Sequence, residues 1–197
     1  CLRKIMLSSD HLLSLVNDIL DVSRIESGKM SFNEDIVSLP DAVIEVQGMF
    51  GEKAAASGVD LTIDVDNVAH PQVVTDPLRL NQILVNTVGN AVKFTPAGGT
   101  VAIAAVREEA TGDVLVTVSD NGIGIASENQ ERIFERFFQV DSSATRIYSG
   151  SGLGLALVRE YAVAQGYTVT VESVLGEGSA FTVRIPASAV VELDEDE

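Results

Sequence analysis

The sequence predicts an α+β fold: a two-layer α/β sandwich, a mixed sheet covered on one face by three helices, preceded by one long helix. Three observations carry that expectation. The apolar period changes along the chain, giving a first helix, then helix–strand–helix, two strands, a long polar loop, a helix and two strands. The last two strands are joined by Gly176-Glu177-Gly178, a hairpin rather than a helical crossover, which excludes a doubly wound sheet. The opening residues keep a heptad spacing that suits a bundle or coiled coil.

Bulk properties limit what such a fold can do. At 197 residues the chain fits one ordinary domain plus a helical appendage. Hydrophobic residues make up 46%, enough for a packed core. The 29 acidic and 13 basic residues give a net charge of −16, which argues against nucleic acid as a partner. A small polyanion can still bind where cations cluster locally. The single cysteine, Cys1, cannot form an internal disulfide, so the expected compartment is reducing and cytoplasmic. No apolar run approaches the ~20 residues that span a bilayer, and no secretory signal is visible, so no membrane contact is expected. The chain begins without Met inside a helical pattern and so reads as a piece of a longer protein, which could itself be membrane-anchored upstream.

In the first helix Leu2, Ile5, Leu12, Val16, Ile19 and Ser23 keep a three-four spacing, broadened by Leu13 and Leu20. Gly28 is its expected C-cap, so a boundary falls near residue 30. Three regions result: 1–30, 31–189, and an acidic tail or linker at 190–197. Ser38 and Pro40 predict a helix start, with helix to about residue 56 and a stop at Ser57-Gly58. Val59, Leu61, Ile63 and Val65 alternate as a strand, followed by a short extended piece at 72–74. Asp76-Pro77 opens a helix running to about Lys93, ended by Pro96-Ala97-Gly98-Gly99. Strands are predicted at 100–106 and 114–119. Residues 121–151 read as a long loop with one short amphipathic helical piece near 128–138; a loop of that length is usually functional. Helix returns at 153–164, and strands at 168–174 and 180–185 finish the domain.

Four clusters carry candidate chemistry. Asn86, Asn90 and Lys93 lie at i, i+4 and i+7 on one face of an otherwise apolar helix. A solvated face would explain them; so would a wet cavity, where an amide oxygen suits Mg²⁺ and an ammonium suits phosphate. Asp120-Asn121-Gly122-Ile123-Gly124 follows a strand, as a simple turn does. Its carboxylate could also accept from an adenine amino group, with the glycines letting backbone approach the ligand. Gly150-Ser151-Gly152-Leu153-Gly154-Leu155 opens a helix. It is neither a Walker A loop nor a dinucleotide fingerprint, and it offers either phosphate donors or tight helix packing. Gly176-Glu177-Gly178-Ser179 alone is a hairpin turn.

Taken in order these segments say more. Asn90-Ala91-Val92-Lys93-Phe94-Thr95, Asp120-Asn121-Gly122-Ile123-Gly124, Phe134-Glu135-Arg136-Phe137-Phe138, Gly150-Ser151-Gly152-Leu153-Gly154-Leu155 and Gly176-Glu177-Gly178-Ser179-Ala180-Phe181 resemble the N, G1, F, G2 and G3 boxes of sensor histidine kinases. The resemblance covers roughly residues 38–186. The segment from Asp18 to Lys29 is similar to the end of the second helix of that family's dimerisation hairpin. The resemblance implies a Bergerat (GHKL-type) ATP-binding fold with a mobile lid at 125–149. It implies ATP and Mg²⁺ as cofactors. Asn90 would hold the metal, while Asn86 and Lys93 would contact phosphates or the metal's waters. Asp120 would read adenine, with Gly122, Gly124 and Ile125 at the pocket floor. Phe134, Phe137 and Phe138 would anchor the lid by apolar packing. Gly150, Ser151, Gly152, Leu153 and Gly154 would bring backbone to the phosphates, and Lys93, Arg132, Arg136 and Arg146 would supply local positive charge. Implied partners are a response-regulator receiver domain and a second copy of the chain, joined as a homodimer through the first helix.

The departures from the family pattern are specific. No His-Glu/Asp-x-Arg-Thr-Pro motif is present: His11 sits in the second-helix pattern and His70 precedes Pro71 in a loop. The chain should therefore bind nucleotide without phosphorylating itself at the family's usual histidine. Gln139 and Ile147 stand where many relatives carry basic residues. Two other classes remain open. One is a GHKL-type ATPase or serine kinase, although Asn86 stands where those hydrolases place a glutamate base. The other is a non-catalytic nucleotide-sensing dimerisation module, which the heptad seam alone could support.

Overall fold

The computed structural model describes residues 12–13, 16–25, 27–65, 71–140 and 150–191. Cys1, His11, His70, Arg146 and Ile147 lie outside them.

Helix α1 is helical at 12–13 and 16–25. It ends as expected at Gly28, whose φ of 62° is left-handed, with the Gly28 N–H on the Ile25 carbonyl and the Lys29 N–H on that of Arg24. Strand β1 (Asp35–Ser38) leads into α2 (Leu39–Ala56), capped by the Ser38 hydroxyl on the Asp41 N–H. Strands β2 (Asp60–Asp64) and β3 (Gln72–Thr75) precede α3 (Pro77–Phe94). Asp76 caps α3 by accepting the Arg79 N–H at 3.1 Å, and its other oxygen takes the Asn33 N–H at 2.8 Å. Then follow β4 (Thr100–Arg107), β5 (Val114–Asp120), α4 (Gly154–Ala164), β6 (Thr168–Val174), β7 (Gly178–Ile185) and β8 (Val190–Val191).

The main sheet has the order β2-β4-β5-β7-β6, parallel only between β2 and β4. This is the mixed sheet of the expected two-layer sandwich. Val101, Ile103 and Ala105 of β4, Val114, Val116 and Val118 of β5, and Val183 and Ile185 of β7 are buried, and the alternate positions are only partly covered. The buried set packs with Leu39, Val43 and Val46 of α2, Leu80, Ile83, Leu84 and Val88 of α3, and Leu157, Val158 and Tyr161 of α4.

Two strands were not expected. β1 and β8 flank β3 in a small antiparallel sheet, with Asp35 opposite Thr75 and Val73 opposite Val190. Strands of four and two residues are too short to show alternation, so pairing alone defines them. Val190-Val191, assigned to the tail by sequence, thus joins the folded unit. The helical piece expected near 128–138 is instead two separate 3-10 turns, Ser127–Asn129 and Arg132–Phe134. Glu135 turns extended and Phe137 takes a φ of 62°, so the backbone cannot continue as one helix. Among the described residues no helix is long and apolar enough to cross a membrane.

Candidate functional site

Helix α3 buries one face and turns Asn86, Asn90 and Lys93 away from the core, each part-exposed. The Asn86 amide nitrogen donates to the Gln82 carbonyl at 2.9 Å, which directs its oxygen elsewhere. That oxygen faces Gly154: a Cβ on Gly154 would lie 3.1 Å from it. Likewise a Cβ on Gly150 would lie 3.0 Å from Lys93 Nζ. The glycine loop therefore lies across two members of the α3 stripe, and side chains at those glycines would crowd them. Among the described residues the Asn90 amide has no hydrogen-bond partner and Lys93 no carboxylate; the Lys93 ammonium stands 4.7 Å from the centre of the Phe94 ring. Burial lowers the pKa of Lys93, and the nearby Lys53 lowers it further. A cavity of about 310 Å³ is lined by Lys53, Ser57, Val92, Lys93, Thr95, Pro96 and Ala97. Lys93 is the one predicted site residue in that lining.

Asp120 ends β5. Its carboxylate accepts the Gly122 N–H at 2.8 Å, and burial raises its pKa against the opposing Gly122 and Ser179 amides. Backbone contacts fix the glycines around it. A Cβ on Gly122 would strike the Phe94 carbonyl oxygen, one on Gly124 (φ 64°) the Val174 oxygen, and one on Gly178 the Asp120 oxygen. The Ile123 N–H donates to the Phe94 carbonyl at 3.2 Å, and its own carbonyl accepts from Gly176 at 2.8 Å. Three boxes distant in sequence thus meet through main chain: the end of α3, the loop after Asp120 and the β6–β7 hairpin. Ile125 donates its N–H to Ser173 Oγ at 2.8 Å, tying the start of the long loop to β6.

The phenylalanine segment divides. Phe134 packs edge-on to Phe181 at 6.3 Å, and Phe138 lies under the Arg132 guanidinium at 4.2 Å. Phe137 does not pack as expected: it is 66% exposed, and its N–H is held by the Gly152 carbonyl at 2.9 Å. Its left-handed backbone aims the ring outward, so main chain anchors the segment where apolar packing was expected. The predicted cluster of cations also needs correction. Arg136 turns onto Glu160 of α4 at 3.0 Å, and Arg132 pairs with Glu135 at 3.8 Å and with the Phe138 ring at 4.2 Å, so both guanidinium groups are engaged within the lid segment and α4. Arg146 is outside the described residues. Gln139, in place of a basic residue, donates to the Gly150 carbonyl at 2.7 Å.

Ser151 Oγ accepts the Leu153 N–H at 3.2 Å, and Leu153 is buried. Helix α4 starts at Gly154 with no side-chain cap among the described residues, so its first N–H groups are left for another acceptor. Among the described residues no group of three His, Cys, Asp or Glu side chains could hold a metal. A divalent cation here would rely on amide oxygen and on ligand oxygens, a donor set that fits hard Mg²⁺. One polar centre carries no sequence signal. Asp21, Arg79 and Tyr161 form a buried cluster joining α1, α3 and α4. Nothing local in the sequence marks it, because its members are 58 and 140 residues apart.

Residues 75–189 match the family described as histidine kinase-, DNA gyrase B-, and HSP90-like ATPase. The chain is 42% identical over 187 residues to the circadian input-output histidine kinase CikA of Synechococcus elongatus; the match covers 94% of this chain and 24% of CikA. The chain thus spans about a quarter of that relative's length. The crystal structure of full-length ShkA in complex with AMPPNP superposes with a TM-score of 0.83 at 36% identity, covering 94% of this chain and 38% of ShkA. The histidine kinase ThkA in complex with the response regulator TrrA gives a TM-score of 0.71 at 25% identity, covering 94% and 51%.

Proposed function

Because the chain belongs to the histidine kinase-, DNA gyrase B- and HSP90-like ATPase family, we propose that it is the ATP-binding catalytic part of a sensor histidine kinase. It would transfer the ATP γ-phosphate to a histidine outside this chain, for onward passage to a response-regulator aspartate. One observation carries the reading. The Asn86–Lys93 stripe lies beneath the Gly150–Gly154 loop, and the end of the same helix is hydrogen-bonded to the loop that follows Asp120.

In this reading Asp120 accepts the adenine amino group, the open N–H groups of α4 meet the phosphates, and Lys93 neutralises charge as phosphate approaches. Asn90, whose amide has no partner among the described residues, holds Mg²⁺, with Asn86 beside it. Bound Mg²⁺ would supply charge neutralisation on the phosphates; the chain's part is positioning, which dominates phosphoryl transfer. No carboxylate occupies position 86 to activate water, which favours transfer over hydrolysis. The likeness to ThkA in its complex with TrrA supports a receiver-domain partner. The exposed α1 residues Leu12, Val16 and Ile19 support a homodimer through that helix.

The test is titration with a non-hydrolysable ATP analogue with and without Mg²⁺, followed by incubation with ATP and a separately supplied histidine-bearing helix. Mg²⁺-dependent binding and label on the histidine are expected. Absence of binding by the intact chain would refute the nucleotide site. Steady release of ADP without transfer would favour the ATPase class.

A further inference from the structure

Asp120, Ser179 and Ser173 form one polar row across three adjacent strands. Asp120 of β5 pairs with Ser179 of β7, and Ser179 pairs with Ser173 of β6. Side chains alternate along a strand, so the three stand on the sheet face that buries Val118 and Phe181. Ser179 is buried and Asp120 and Ser173 are half-buried, so protein groups set the direction of the hydrogen bonds along the row.

A serine hydroxyl has one proton to give and two lone pairs to receive. At Ser173 two partners have fixed roles. The Ile125 N–H can only donate, at 2.8 Å, and the Gly178 carbonyl can only accept, at 2.7 Å. The single proton of Ser173 therefore goes to Gly178. The third contact, Ser173 Oγ to Ser179 Oγ, is longer at 3.0 Å, and distance alone allows either oxygen to donate. With the Ser173 proton committed, Ser179 is the donor. Its proton is turned toward β6, and it offers only lone pairs toward β5, where the Asp120 carboxylate already takes the Ser179 N–H. A carboxylate and a hydroxyl that both accept suit an amino group and repel an oxo group.

We propose that Ser173 fixes Ser179 as an acceptor and so enforces selection of a 6-amino over a 6-oxo purine. Ser173 is a positioning residue that acts through Ser179. This selection rests on the reading that Asp120 receives the adenine amino group. Released from Ser173, the Ser179 proton can turn to the Asp120 carboxylate or to a 6-oxo group, and either turn weakens the distinction.

Ser173 also steadies the start of the long loop. Its carbonyl accepts Gln130 Nε2 at 2.7 Å, and the same nitrogen reaches the Ile125 carbonyl at 3.2 Å. Loss of this support alone would weaken every nucleotide alike, because it does not depend on the base. The two roles therefore separate in a ratio of affinities.

Isothermal titration of the chain with ADP and with inosine diphosphate, both with Mg²⁺, reads that ratio, and neither ligand has a γ-phosphate to transfer. The parent should prefer ADP. Ser173→Ala should narrow the preference about 3- to 10-fold, the worth of one neutral hydrogen bond. Ser173→Cys, of similar size but a weak acceptor, should narrow it likewise, and Ser173→Thr should keep it. Gln130→Ala should weaken both ligands with the ratio unchanged. In a Ser179→Ala chain, adding Ser173→Ala should not move the ratio, because the proton it would release is gone. A parental ratio in both Ser173→Ala and Ser173→Cys overturns the role of Ser173 alone, as does the same narrowing with or without the Ser179 hydroxyl. A parent that binds both diphosphates equally refutes the adenine role of Asp120 and this selection together. A parent that binds neither refutes the nucleotide site itself.

Discussion

The main-chain oxygen of Phe94 accepts the N–H of Ile123 at 3.2 Å. Phe94 closes the helix of Asn86, Asn90 and Lys93, and Ile123 lies three residues past Asp120, so one hydrogen bond ties the amide stripe to the carboxylate loop. The amide and the carboxylate are 30 positions apart in the chain, yet their supporting backbones touch.

Asn90→Ala tests the metal role. Its amide has no partner among the described residues, so the substitution leaves no buried group unsatisfied. The thermal midpoint should be retained while affinity for the Mg²⁺-bound ATP analogue falls roughly 10- to 100-fold, the loss expected for one interaction with a charged ligand. Isothermal titration with and without Mg²⁺ checks it. Equal loss in both conditions would remove Asn90 from the metal.

Asp120→Asn separates stability from recognition. The folded-state pKa of Asp120 is raised above its ordinary 3.8 by burial, so ionisation at neutral pH works against folding, and a neutral amide should leave the thermal midpoint no lower than the parent's. Asparagine can still accept the Gly122 N–H, but its amide oxygen is a weaker acceptor for an adenine amino group. Affinity for the adenine nucleotide should drop at pH 7. In the parent, affinity should fall on acidification at a pH above 3.8, and Asp120→Asn should lack that dependence.

Two glycines with left-handed backbones should respond unequally to alanine. At Gly124 the new methyl would strike the Val174 carbonyl, while at Gly176 (φ 89°) nothing lies within 4 Å. Gly176→Ala should cost about 1–2 kcal/mol from backbone strain alone. Gly124→Ala should cost about 2–5 kcal/mol, because overpacking adds to the strain. Urea denaturation of both variants tests the ranking, which equal losses would refute.

Arg184 bridges Glu108 at 2.8 Å and Asp113 at 2.9 Å at the far end of the β4–β5 hairpin. Its hydrogen bonds are the largest cause lowering the pKa of both acids. Depressed carboxylate values stabilise the fold above the unfolded pKa and lose that contribution as pH falls through the folded one. The melting-temperature gap between the parent and Arg184→Met should therefore be present at pH 7 and close as pH falls below the ordinary values of 4.5 and 3.8. A gap constant down to pH 2 would show that the arginine acts by packing.

The sequence carried the sandwich because its signals are local. Ser38 and Asp76 cap the helices predicted from them, Gly28 turns left-handed where a stop was expected, and strand alternation from β4 to β7 follows directly from which side faces the helices. The glycine and asparagine boxes were legible for the same reason: their spacing is a property of the chain. What the tertiary structure alone decided are the relations between distant segments. β1 and β8 exist only as partners of β3, Phe137 turns outward because Gly152 holds its N–H, and Arg136 is taken by Glu160. The burial of Asp21 among Arg79 and Tyr161 belongs here as well. Capping and periodicity are set within a few residues along the backbone, whereas a buried carboxylate depends on which donors the fold brings to it from far along the chain.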